Sequence, residues 1–147
     1  MNTEVMFSSK KDTWETPQVF FDTVNDEFKF ELDVCAMKSS AKCKKFYSIE
    51  DNAFTKDWTG TCWMNPPYGR KIGKWIEKAV YESSKHNNTV VALLPARTDT
   101  KWFHDNIYGK YEVRFLKGRL KFGEAVNAAP FPSMLVIFKN KKWYELW

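Results

Sequence analysis

The chain has 147 residues, 44% hydrophobic and 28% charged, enough for one buried core and too polar for a bundle of membrane spans. Its net charge of +5 is uneven: residues 1–68 hold 8 Lys+Arg and 11 Asp+Glu (−3), residues 69–147 hold 15 and 7 (+8). All four arginines, Arg70, Arg97, Arg114 and Arg119, lie in the second part, which suits a polyanionic partner such as nucleic acid or, more plainly, a solvated Lys-rich surface.

Three scattered cysteines, no C-x-x-C pair and only two histidines argue against a zinc site. They read as reduced, buried thiols of a cytosolic protein. The opening "MNTEVMFSSKKDTWETP" lacks an apolar stretch of signal-peptide length, and "VVALLPA" is too short to cross a bilayer. No repeat, linker or low-complexity tract interrupts the chain, so residues 1–147 read as one domain with a loose tail over about the first ten residues.

In chain order, "TPQVFFDTVNDEF" predicts a helix with Thr16 as N-cap and Pro17 at the first helical position. Phe20, Val24 and Phe28 recur every four residues as its apolar face. "FKFELDVCA" is a short strand ending at Asp33, and "KCKKFYSI" alternates weakly enough to suggest another. "TCWMN" is a strand running into two prolines. "KIGKWIEKAVYESSK" is the strongest helix, with Ile72, Trp75, Ile76, Ala79 and Val80 in one stripe. "NNTVVALLPA" is a buried strand, "DTKWFHDNIY" a short helix with Phe103 and Ile107 on one face, and "YEVRFL" and "SMLVIF" two more strands.

Helices and strands therefore alternate, and the central strand is a continuous apolar run. This predicts an α/β fold, a sheet with helices on both faces. Ligands of such sheets sit beyond the carboxyl ends of the strands. The residues at those ends are Asp33, Glu50 and Asp51, Asn65 to Tyr68, and Pro95 to Thr100.

The stretch "NPPY" at 65–68 carries the chemistry. Asn65 offers an amide oxygen as acceptor. Pro66 and Pro67 have no N–H, yet their carbonyls remain acceptors and are held rigidly. Tyr68 offers a flat face. Together they suit a planar group bearing an amine, such as a nucleobase. The same residues also make an ordinary strand-to-helix turn.

The chain resembles the phage-type DNA adenine-N6 methyltransferases, often called phage Dam. The likeness runs over about residues 13 to 138, through "WETP", "ELDVCA", "AKC", "YSIEDNAFTKDW", "WMNPPYG", "WIEKA", "LLPARTDTKWFHD", "FLKGRLKFG" and "PSMLVIF". It implies a Rossmann-like methyltransferase sheet, mixed, with an antiparallel last strand, and S-adenosylmethionine as cofactor. Asn65, Pro66, Pro67 and Tyr68 become the catalytic motif. Thr16 and Pro17 lie near the methionine end of the cofactor, with Asp33, Cys35, Ala36 and Asn65 around it. Glu50 or Asp51 takes the ribose hydroxyls. Phe54 or Trp58 could flank the cofactor adenine, although core packing explains them as well. In one respect the chain departs from the wider superfamily: no glycine-rich loop follows Asp33, and "CAMKSSAKC" stands there instead.

The partner implied is DNA, with its target adenine extruded from the helix. Tyr68 stacks on that base, Phe122 is a second stacking residue, and Arg70, Arg97 and Arg119 lie toward the DNA with Asp99 on the rim. No metal and no membrane are called for. No cysteine nucleophile is needed either, because the sulfonium of the cofactor is already activated. No separate recognition domain is expected. The few polar reading residues, Arg70, Arg97, Arg119 and Asn127, suit a site of about four base pairs or fewer. The alternatives are a cytosine-N4 or RNA amino-methyltransferase, and a catalytically inactive basic nucleic-acid-binding module.

Overall fold

The computed structural model describes residues 14–85, 87–123 and 128–140; the expected loose tail and Asn127 lie outside them. Among the described residues three α-helices, α1 (Gln18–Phe28), α2 (Ile72–Ser83) and α3 (Lys101–Asn106), alternate with strands β1 (Leu32–Asp33), β2 (Thr61–Met64), β3 (Thr89–Pro95), β4 (Glu112–Phe115) and β5 (Ser133–Lys139). The strands form one mixed five-stranded sheet in the order β1-β2-β3-β5-β4. β1, β2 and β3 run parallel, and the last strand, β5, runs antiparallel to both β3 and β4.

The centre of the sheet follows from composition. Val90 to Pro95 of β3 and Ser133 to Phe138 of β5 are all buried, so both strands must be apolar throughout rather than alternating. Their seven-residue register runs from Thr89 opposite Lys139 to Pro95 opposite Ser133. A fully buried Leu, Ile or Met contributes about 1.5–3 kcal/mol, and Leu93, Leu94 and Met134 are each 0% exposed.

Helix α1 corrects two expectations. Pro17, not Thr16, is the residue before its first turn, and no side chain caps it; the Thr16 hydroxyl is used elsewhere. The buried face is Phe21 and Val24, with Phe20 and Phe28 half-buried. Phe21 meets Trp63 edge-on at 5.3 Å, and that contact turns the helix by one residue from the four-residue reading. The helix stops at Lys29, where φ is 59° and the N–H donates to the Asn25 carbonyl at 2.8 Å.

The strand expected over "KCKKFYSI" does not form. Only an isolated parallel bridge links Asp33 and Phe46, and Lys44 and Lys45 beside it are exposed. A stretch with so little to bury gains too little to extend the ladder.

Helix α2 buries Ile72, Trp75, Ile76 and Ala79 as expected, while Val80 is only half-buried and the stripe continues through Glu82 and Ser83. Glu82 is 0% exposed and accepts from the Trp58 N–H at 2.7 Å, Lys78 Nζ at 2.9 Å and Lys85 Nζ at 3.1 Å. Burial pushes its carboxyl up, but the Trp58 N–H and the two ammonium groups outweigh this and hold it below its usual value. A buried carboxylate is tolerated only when paired in this way. The network ties the approach to β2 onto α2 and fixes where β2 delivers the residues after Met64.

Candidate active site

Two strand ends lie side by side. Asp33 of β1 is opposite Trp63 of β2, so the residues that follow each strand open into one region of the molecule. Asn65 to Tyr68 follow β2. Gly69, with φ 129°, then reverses the chain into α2, a conformation that favours glycine.

Asn65 is half-buried. Its Nδ2 donates to the Trp14 carbonyl and, at 2.9 Å, to Thr16 Oγ1. Its Oδ1 faces the Tyr68 hydroxyl at 3.3 Å. That hydroxyl also lies 3.2 Å from the Leu93 carbonyl on β3. Pro66 is buried, and no hydrogen bond reaches its carbonyl among the described residues. The knot is thus pinned to the segment before α1 on one side and to β3 on the other.

Tyr68 is only 4% exposed, and burial pushes its hydroxyl far above the usual tyrosine value although the Arg97 charge opposes this. Its ring meets Phe131 edge-on at 5.4 Å and Phe122 at 6.5 Å. Trp14 meets the same two rings, at 5.1 Å from Phe131 and 5.5 Å from Phe122. Trp14, Tyr68, Phe122 and Phe131 therefore pack in one aromatic cluster, and the Arg97 guanidinium lies over the Phe131 ring at 5.9 Å. Neither Tyr68 nor Phe122 presents an open face to solvent, contrary to the stacking platform expected. Their edge-to-face contacts, worth about 0.5–1.5 kcal/mol each, fill the space a planar ligand requires. Trp14 and Phe131 were not among the residues picked out from the sequence. The signal available was an aromatic between two prolines just before a strand, "APFPS".

The β1 end is wired differently. Asp33 is 2% exposed, and its two carboxylate oxygens accept from the N–H groups of Cys35 at 3.2 Å and Lys42 at 3.0 Å. Burial pushes its carboxyl up to about 6, against the pull of those two N–H groups and of the Lys42 charge. Where a glycine turn was missing, Asp33 itself organises residues 35–42. Ala36 is held on the same scaffold through its N–H to the Tyr47 carbonyl at 3.0 Å. The Cys35 and Cys62 thiols are pushed up to about 12 and Cys43 to about 11, chiefly by burial, so none is a thiolate near neutral pH.

Glu50 and Asp51 are exposed. The Asp51 carboxylate accepts from the Ser48 N–H at 2.8 Å and Ser48 Oγ at 3.1 Å, which hold it below its usual value. Glu50 makes no hydrogen bond among the described residues. Trp58 is fully buried, donates to the Ala53 carbonyl at 3.0 Å and stacks on Trp75, so it belongs to the core. Phe54 is 37% exposed and packs 4.5 Å from Trp75. Arg70, Arg97, Asp99 and Arg119 are all exposed; of these, Arg97 alone touches the aromatic cluster.

The second strand of a mixed sheet thus ends in an amide-bearing, proline-locked turn. The family model for DNA N-6-adenine-methyltransferase (Dam) matches residues 3–145. The chain is 39% identical over 145 residues to the DNA N-6-adenine-methyltransferase of Haemophilus phage HP1 (strain HP1c1), covering 92% of this chain and 83% of the relative. It is 33% identical over 159 residues to the protein of the same description from Escherichia phage T1, covering 92% of this chain and 66% of the relative. A shorter match, 38% over 65 residues, covers 39% of this chain and 71% of the putative methyltransferase YfdM of Escherichia coli (strain K12). The chain belongs to the DNA N-6-adenine-methyltransferase (Dam) family, and adenine-N6 methylation of DNA is the reaction of that family.

Proposed function

We propose that this chain transfers a methyl group to the exocyclic amine of adenine in DNA, using S-adenosylmethionine, and that the turn at Asn65 to Tyr68 is where the amine is held. The observation that carries this reading is Asn65, held through Nδ2 by Trp14 and Thr16 with its Oδ1 3.3 Å from the Tyr68 hydroxyl, on a turn whose Pro66 carbonyl takes no hydrogen bond among the described residues.

When bound, the cofactor supplies an activated methyl on a sulfonium. The residues of the chain supply positioning. Asn65 Oδ1 and the Pro66 carbonyl accept the two amine hydrogens and draw the nitrogen lone pair out of conjugation. Held in line, that lone pair needs little further help. An amide is not a strong base, so proton loss follows transfer. Tyr68 supplies a ring face for the extruded adenine. Base–aromatic stacking is worth about 1–3 kcal/mol per base, and it offsets part of the few kcal/mol that unstacking costs. Because Phe122 and Phe131 now abut that ring, entry of a base requires them to shift.

The cofactor side of the crevice is formed by the β1 end. Asp33 acts by shaping residues 35–42, whose backbone at Cys35 and Ala36 faces the methionine part. Pro17 bounds the same part from the other side, next to Thr16, whose hydroxyl is engaged by Asn65 Nδ2. Glu50 or Asp51 takes the ribose hydroxyls; Ser48 binds only Oδ2 of Asp51 and leaves its Oδ1 available. The sheet is Rossmann-like with helices on both faces. That reading is supported by three parallel strands, by the antiparallel last strand between β3 and β4, and by the contact of α1 with Trp63. Arg70, Arg97 and Arg119 meet phosphates, and binding therefore weakens steeply with salt. The described residues act as one domain, in the cytoplasm, on a short site. No helix among the described residues is long and apolar enough to cross a membrane.

The test is incubation with methyl-labelled S-adenosylmethionine and DNA, followed by digestion to nucleosides. Label in N6-methyladenine is the expected result. Label in N4-methylcytosine, or in RNA alone, overturns the assignment.

A further inference from the structure

We propose that Trp14 and Thr16 decide which end of the Asn65 amide faces the substrate, which makes Thr16 a positioning residue for methyl transfer. The inference rests on Asn65 being the acceptor of the adenine amine.

The two ends of a carboxamide are nearly the same in size and opposite in chemistry. An amine presents hydrogens. If Nδ2 faced it, donor would meet donor and the site would repel its substrate. Something must hold the oxygen end forward.

The main-chain carbonyl of Trp14 can only accept, so it can be satisfied only by Nδ2. The second hydrogen of the same nitrogen goes to Thr16 Oγ1 at 2.9 Å. Both donors of the amide are thereby consumed on one side, and Oδ1 is left on the other. There it faces the Tyr68 hydroxyl at 3.3 Å, which occupies at most one of its two lone pairs.

The holders are themselves fixed. Thr16 is 3% exposed, so water does not readily replace its hydroxyl, and that hydroxyl does not cap α1. The Trp14 ring is wedged between Phe122 and Phe131. The next residue is tied down too, because the Gly123 N–H donates to the Glu15 carbonyl at 2.8 Å. The segment 14–16 thus behaves as a rigid ruler laid against Asn65.

A corollary follows for residue choice. A carboxylate at position 65 would set one of its oxygens against the Trp14 carbonyl, acceptor against acceptor. This chain reads Asn there for an electrostatic reason.

The experiment uses the full chain and measures single-turnover methyl transfer, S-adenosylhomocysteine affinity by calorimetry, and thermal unfolding. Thr16→Val is expected to slow transfer by roughly tenfold to a hundredfold while the cofactor-product Kd stays within about twofold. Thr16→Ser restores the rate to within about threefold, and Asn65→Asp is at least about tenfold slower than wild type. A Thr16→Val protein at the wild-type rate overturns the proposal. So does one whose loss lies in affinity for the cofactor product, which returns the hydroxyl to the cofactor. Should Thr16→Val fail to fold, Asn65→Asp decides alone, and wild-type speed in that variant overturns the proposal. Asn65→Ala separates the two levels. If it is slow while Thr16→Val is normal, only this inference fails; if it is itself fast, the reading of Asn65 fails with it.

Discussion

The ends of β1 and β2 are neighbours, each followed by a polar residue, and they use it in opposite ways. Asp33 turns both carboxylate oxygens onto its own loop, at Cys35 and Lys42. Those two hydrogen bonds turn its charge toward the loop, and its burial costs enough to push its carboxyl up to about 6. Asn65 ties its donors to Trp14 and Thr16, and its oxygen, which accepts from Tyr68, keeps a second lone pair. A side chain that turns both oxygens inward builds a scaffold; one whose donors alone are tied to the frame keeps its oxygen in a position to recognise.

The contrast breaks hardest at Tyr68. Tyr68→Ala is expected to cost about 3–5 kcal/mol of stability, because a ring that is 4% exposed leaves a cavity among Phe122, Phe131 and Leu93. Urea unfolding measures it. A loss below about 1 kcal/mol would mean that the aromatic cluster collapses onto the gap and that the ring is not structural.

Asn65→Ala tests the recognising end on its own. Turnover is expected to fall by the equivalent of about 2.7–4 kcal/mol, the scale of removing one oxyanion-hole hydrogen bond, with affinity for S-adenosylhomocysteine near wild type. Nucleoside analysis after single turnover reads the first quantity and calorimetry the second. Loss confined to cofactor affinity would make the two strand ends alike.

Asp33 tests the scaffold end through pH. The folded protein holds a proton on Asp33 up to about pH 6, whereas the unfolded carboxyl releases it near its ordinary value of 3.8. Protonation therefore stabilises the fold. As pH falls from about 6 to about 4 the gain is about 3 kcal/mol, and it is lost as pH rises through about 6. Asp33→Asn removes this dependence, and also mismatches one of the two N–H groups. Urea midpoints of wild type and Asp33→Asn between pH 4 and pH 7 should converge or cross rather than run parallel. Parallel curves would mean that the buried carboxylate carries no cost.

The mildest change is Tyr68→Phe. The hydroxyl lies 3.2 Å from the Leu93 carbonyl and 3.3 Å from Asn65 Oδ1, so its loss should cost about 0.5–1.5 kcal/mol of stability and slow transfer roughly threefold to tenfold. Thermal unfolding and single-turnover rates check both. If the Phe variant is as inactive as the Ala variant, the hydroxyl rather than the ring does the chemistry.

Much of this was legible in the sequence for identifiable reasons. The apolar run of β3 and the stripe of α2 are local patterns with a fixed period, so they survive without tertiary information. Residues 65–68 were legible as a turn because two prolines cannot continue a strand. Thr16 was misread because a threonine before a proline looks the same whether its hydroxyl caps a helix or meets a side chain 49 residues away. Asp33 was placed correctly at the end of β1, yet its partners, Cys35 and Lys42, carry no pattern that announces them. Phe131 and Trp14 went unnoticed because, among so many aromatic residues, the choice of which four converge belongs to the fold. "KCKKFYSI" was overread, since weak alternation does not report how little its lysines bury.

The position of β5 bears on when this enzyme can come into being. Its residues, 133–139, are inserted between β3 and β4, and among the described residues β5 is the only strand that pairs with β4. A ribosome that has delivered everything up to Pro132 has therefore made a β4 with nothing to join and a β3 with one side bare. At about 5–20 residues per second, those edges stay open until β5 emerges and slots into the gap, a pairing that joins distant parts of the chain and is slow for that reason. The sheet closes only once β5 has been made. The Leu93 carbonyl that meets Tyr68 sits on the strand completed by that closure, so a chain cut short of β5 leaves the support of the Asn65 to Tyr68 turn unfinished.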